Sequence, residues 1–128
     1  MRLTQSELRT IFDQALKNNQ AFILDWKFPV EDIVFNVKQV LPELDIDDKG
    51  EKQVKGDWIQ TMVLDGKEYS FKADSNTLIL DVISSINKHL KKDNQILVFF
   101  DTKDDEYCFI LINLSELPSY LEKGFIEI

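Results

Sequence analysis

Gln95-Ile96-Leu97-Val98-Phe99-Phe100 and, after a short acidic link, Tyr107-Cys108-Phe109-Ile110-Leu111-Ile112-Asn113-Leu114 are apolar at nearly every position. A strand with one wet face alternates apolar and polar residues, whereas a strand that is apolar on both sides is covered on both. The spacing predicts a β-hairpin over 95–114. Alternation across the link Asp101-Thr102-Lys103-Asp104-Asp105-Glu106 sets Ile96, Val98, Phe100, Tyr107, Phe109 and Leu111 on one face. It sets Leu97, Phe99, Cys108, Ile110 and Ile112 on the other. Both strands are therefore expected at the centre of a sheet that carries helices on its two sides.

Upstream, Leu78, Ile79, Val82, Ile83, Ile86 and Leu90 recur at helical spacing, which predicts a helix over 76–91 with Asp74 or Ser75 as its cap. Lys88, His89, Lys91 and Lys92 crowd its C-terminal end, where positive charge is favoured. Before it, Asp65-Gly66 lies between two alternating runs. This is a strong two-residue turn signal, because a type I′ turn needs positive φ at both positions. The hairpin 58–73 then pairs Leu64 with Lys67, Met62 with Tyr69, Gln60 with Phe71 and Trp58 with Ala73. Trp58, Met62, Leu64, Tyr69 and Phe71 fall on its core face, and Ile59, Thr61 and Val63 on a half-apolar outer face. It is expected towards an edge of the same sheet.

Residues 43–56 are the most polar stretch and read as a loop. A helix over 30–41 precedes them, with Ile33, Val34, Val37, Val40 and Leu41 on one side and Pro42 as its stop. Ala21-Phe22-Ile23-Leu24 is a short extended run. At the N-terminal end, Thr4 and Glu7 have capping-box spacing before a helix over 5–18. At the other end, Ser115 is expected to cap a short helix over 116–123 stopped by Gly124. Hairpins separated by helices give the α+β class with a mainly antiparallel sheet, in a single domain over 1–128.

The chain holds 15 Lys+Arg against 23 Asp+Glu, a formal net charge of −8. Nucleic-acid binding needs a basic footprint, so nucleic acid is not an expected partner. The longest uncharged apolar run, Ile96–Phe100, is far shorter than the ~20 residues of a membrane span, and the first residues carry no apolar signal stretch. A cytoplasmic protein without membrane contact is expected. No disulfide can form within a chain holding one cysteine. Cys108 lies in the most apolar strand and reads as core packing, and His89, the one histidine, reads as a solvated residue at a helix end. Asp45-Ile46-Asp47-Asp48-Lys49-Gly50 begins like a calcium loop but carries Gly56 where the bidentate Glu belongs. No catalytic, cofactor or metal-ligating set is expected, and a small enzyme built on carboxylates or Cys108 is the weaker alternative.

Negative charge gathers in two places. Glu43, Asp45, Asp47, Asp48 and Glu51 form one cluster, and Asp101, Asp104, Asp105 and Glu106 form the other, at a hairpin tip. Acidic loops on a rigid sheet can steer and hold a basic protein. A charge of this size is also ordinary for a small soluble domain. Trp26, in a connection beside Asp25, is a candidate contact residue. The length, the acidity, the α+β pattern, the tip Asp101–Glu106 and the closing Asn113-Leu114-Ser115-Glu116-Leu117-Pro118 segment resemble small acidic bacterial immunity proteins, of the contact-dependent growth inhibition type. The resemblance is one of type and assigns no site residue. It implies a cytoplasmic binding protein that neutralises a cognate toxin domain, often a nuclease. An oligomerising or scaffold domain that uses Ile59, Thr61 and Val63 is the alternative.

Overall fold

The computed structural model describes residues 2–128. Its elements are α1 (Gln5–Lys17), β1 (Ala21–Asp25), α2 (Val30–Val40), β2 (Ile46–Val54), β3 (Asp57–Leu64), β4 (Lys67–Lys72), α3 (Leu78–Leu90), β5 (Gln95–Asp101), β6 (Glu106–Asn113) and α4 (Leu117–Lys123). They build two three-stranded antiparallel sheets, β1-β6-β5 and β2-β3-β4, so the fold is α+β.

Layers alternate through the molecule. On one side of the first sheet, Leu8 and Phe12 of α1, with partly buried Leu117 and Tyr120 of α4, meet Ile96, Val98, Phe100, Cys108, Ile110 and Ile112. On the other side, Leu97, Phe99 and Phe109 meet Ile33 and Val37 of α2 and Ile83 and Ile86 of α3. The same two helices receive Ile46, Met62 and Leu64 of the second sheet on their far side. Helices α2 and α3 therefore lie between the sheets.

Local chemistry explains the elements that were legible. The α1 capping box is complete: the Glu7 N–H donates to the Thr4 hydroxyl, and the Thr4 N–H donates to the Glu7 carboxylate. These bonds, the Thr4 backbone N–H first, hold the Glu7 carboxyl below its ordinary pKa. The β3–β4 register is the one expected, with Leu64 opposite Lys67 and Met62 opposite Tyr69. Asp65 and Gly66 both have positive φ, at 52° and 79°.

Several expectations are corrected. The two hairpins do not share one sheet, because β1 takes the place beside β6 and β5 becomes an edge. That edge is closed. The Asn87 side chain bonds Leu97 N–H and C=O at 2.8 and 3.0 Å, and Ile126 exchanges two backbone bonds with Phe99. The Gln5 amide also donates to the Asp101 carbonyl.

The face assignment across the β5–β6 link is offset by one residue. Asp101 pairs with Tyr107, Phe99 with Phe109 and Leu97 with Leu111, so Tyr107, Phe109 and Leu111 share a face with Leu97 and Phe99. A connection one residue different in length moves every side chain to the opposite face.

Residues 43–56 are not all loop, since β2 occupies Ile46–Val54. Its pattern is hidden because only Ile46 is buried. Trp58 is not core but 52% exposed. Helix α3 starts at Leu78 after Thr77, without a side-chain cap bond, and the cap before the last helix is Asn113, whose box with Glu116 closes a 3₁₀ turn over Leu114–Glu116.

Candidate partner-binding surface

The β5–β6 tip is held in shape by its own polar groups. Asp101 accepts the Lys103 N–H at 2.8 Å, the Thr102 hydroxyl accepts the Asp104 N–H at 3.2 Å, and the Thr102 N–H donates to the Glu106 carbonyl. Lys103 and Asp105 take left-handed φ of 67° and 63°. With their own backbone bonds satisfied this way, the side chains of Asp101, Asp104 and Asp105 stand exposed and that of Glu106 half-buried. None of these four carboxylates has an ion-pair partner among the described residues.

Trp26 joins this tip. Its backbone N–H donates to the Asp105 carbonyl at 2.9 Å, continuing the β1–β6 ladder past Asp25 and Glu106. The indole is 48% exposed, with the Lys27 ammonium 5.4 Å from its ring centre. A large, flat apolar side chain joined through its backbone to a loop of carboxylates without ion pairs can supply an anchor next to steering charge.

The other acidic cluster is dispersed. Glu43 lines a cavity of about 480 Å³ with Gln20, Gln95 and Leu111, at the end of the first sheet where β5 begins. The tip lies at the end where β5 finishes, so Glu43 and Asp101–Glu106 do not share a surface. Asp45 uses its carbonyl to accept the Asp65 N–H, Asp47 pairs with Lys38 at 3.0 Å, and Asp48 accepts the Gly50 N–H at 3.1 Å. Asp48 does lie near the tip side, on a cavity shared with Pro29 and Glu31.

Gln60 escaped the sequence reading. It is 8% exposed, and its carbonyl oxygen accepts the Val30 N–H at 2.8 Å. Helix α2 starts after Pro29, which offers no side-chain cap, so a strand residue supplies the acceptor that the first turn lacks. The Gln60 amide donates to Glu51 at 2.7 Å. The available signal was one amide on an apolar face, between Trp58 and Met62. On the outer face of the same sheet, Thr61 is buried and hydrogen-bonded to the Ser70 hydroxyl, between half-buried Ile59 and Val63.

Cys108 is fully buried on the α1 side of the first sheet. Burial pushes its thiol up to about 11. His89 is on α3, on the other side of that sheet, with Nδ1 4.0 Å from Asp65. The two cannot act as a nucleophile–base pair. Iodoacetamide at pH 8 is expected to leave Cys108 unmodified in the native protein and to label it in denaturant. The thiol of the unfolded chain ionises first as pH rises above ~9. Stability is therefore expected to fall between that value and 11, more steeply in the wild type than in Cys108→Val. Prompt native labelling, or equal slopes, would contradict this.

Among the described residues, no group of three or more His, Cys, Asp or Glu is placed to hold a metal ion. No helix among them is long and apolar enough to cross a membrane. Residues 4–122 match a family described as a domain of unknown function (DUF6630). No curated protein and no solved structure matches the chain.

Proposed function

The chain belongs to the DUF6630 family, and we propose that it is a cytoplasmic binding protein, not an enzyme, that neutralises a cognate basic toxin domain of nuclease type. One observation carries this reading: the 2.9 Å backbone bond from the Trp26 N–H to the Asp105 carbonyl joins the exposed Trp26 to the loop that carries Asp101, Asp104, Asp105 and Glu106, none of them ion-paired among the described residues. A nuclease surface is basic because it must neutralise phosphates. Carboxylates laid over that surface compete for the same cations and exclude the substrate. The net charge of −8 adds long-range attraction, which acts mainly on the association rate.

The test uses a basic toxin domain encoded beside this protein, with binding and nuclease inhibition measured at low and high salt. Replacing Asp101, Asp104 and Asp105 by Asn and Glu106 by Gln is expected to weaken binding about tenfold or more at low salt. The difference should shrink as salt screens it. Unchanged affinity and unchanged salt dependence would remove the tip from the interface. Failure of the wild type to bind or inhibit any such domain would overturn the proposed function.

A further inference from the structure

We propose that the inner face of the β2–β3 arm is a docking groove for an extended, Arg- or Lys-bearing segment of a protein partner. Every position from 49 to 58 is exposed, so the hairpin runs out beyond the helices that cover its base. The turn at its end uses Lys55 and Gly56, with φ of 52° and 88°. Along β3, Met62 and Gln60 are buried against the helix layer, but Trp58, next on the same face, has no helix above it and is 52% exposed. This is a sheet face without a partner.

The face is concave on both sides of Glu51. One hollow, of about 260 Å³, lies among Pro29, Glu31, Asp48 and Gln60. The other, of about 250 Å³, lies among Asp57, Trp58, Ala73 and Asp74. Each is smaller than the ~300–1,000 Å³ of small-molecule sites, which favours single side chains of a larger partner.

Charge selects the kind of side chain. Glu31, Asp48, Glu51 and Asp74 line the hollows and have no ion-pair partner among the described residues; Asp57 borders the second hollow but turns its carboxylate to the outer face, where it pairs with Lys72 at 3.8 Å. Two of the arm's three lysines lie on the other face, and Lys55 sits in the end turn. Lys52 pairs with Ile59 on the outer face, and Lys49 lies there with Thr61 and Val63. Guanidinium and ammonium groups are attracted both to carboxylates and to the face of an indole. A second copy of this chain carries the same charge of −8 and is repelled, as is a nucleic acid.

The inference rests on the proposed binding of a basic protein and extends its interface. Only Lys27 and Phe28 separate Trp26, at the tip, from Pro29, in the first hollow. One partner could therefore contact both.

The test titrates the ¹⁵N-labelled full chain with a synthetic peptide alternating Arg and Val, with a Glu/Val peptide as control. The Trp58 indole N–H and the amides of Glu51, Gln60 and Asp74 are expected to shift together and saturate with the Arg peptide alone. Trp58→Ala and, with less risk to folding, Glu51→Gln should each weaken binding about tenfold, while the fourfold tip variant retains it. Scattered shifts that do not saturate, or wild-type binding by both groove variants, would overturn the groove. If the chain inhibits a basic toxin domain but Trp58→Ala and Glu51→Gln do not alter that inhibition, the groove fails and the proposed function stands. If the peptide saturates the groove but no basic toxin domain is bound, the proposed function fails and the groove stands.

Discussion

Asn87→Ala is expected to destabilise the fold by about 2–4 kcal/mol, because it would leave a buried N–H and a buried C=O without partners. Asn87 is 1% exposed on α3, and its side chain takes both outward backbone groups of Leu97. An amide presents a donor and an acceptor side by side, as a neighbouring strand would. Only Asn places that pair at this reach, and alanine places neither. Asn87→Asp should be at least as damaging at neutral pH, since a carboxylate would face the Leu97 carbonyl that the Asn87 amide now meets at 3.0 Å. Urea unfolding gives the measurement: a lower midpoint with an unchanged slope. A change below ~0.5 kcal/mol, the size of an ordinary surface substitution, would mean that water or a rearranged chain satisfies Leu97.

Phe109→Ala should have a larger effect, about 3–5 kcal/mol, the usual loss for deleting a buried phenyl ring. Phe109 is fully buried on β6, the central strand of the first sheet. Its ring lies 5.5 Å from Phe22, 5.3 Å from Phe99 and 6.4 Å from Tyr107, so one deletion removes contacts to all three strands. Phe35→Ala makes the control. Phe35 is 53% exposed on α2, and its loss should stay within ~0.5 kcal/mol. Equal losses at the two positions in thermal or urea unfolding would contradict the layer arrangement.

Legibility in the sequence followed the range of the cause. Asp65-Gly66 specifies its own turn and, through it, the β3–β4 register, because everything needed lies within a few residues. The α1 box is local in the same way. Lys55-Gly56 makes a similar turn but went unseen, since β2 beyond Asp48 is exposed on both faces and shows no alternation. The offset across the β5–β6 link arose because loop length, not strand composition, sets which residues share a face. Nothing within 58–73 or 95–114 could reveal that they belong to different sheets. That depends on β1 and on the Asn87 and Ile126 contacts, which come from elsewhere in the chain.

The candidate surface divides along the same line. The carboxylates of Asp101–Glu106 were visible as a loop, but their junction with Trp26 is a contact across the fold. Alternation correctly placed Trp58 on the face of Met62, yet alternation cannot say where the covering helices stop. Glu51 and Gln60 sit on separate strands and acquire a shared role only when β2 and β3 pair.

The two sheets also differ in how they can be made. In the second, every pairing joins consecutive strands through a tight turn, so Ile46–Lys72 can assemble from nearby parts soon after it is synthesised. In the first, Phe22 must find Phe109 and Phe99 must find Ile126. Closing the loop between β1 and β6 spans most of the chain, and such closures are slow relative to hairpins. Until they occur, Phe22 and Leu24 have no strand beside them and present an apolar edge to the surroundings. The second sheet is therefore suited to form early as a template for α2 and α3, and the first sheet to close last around them.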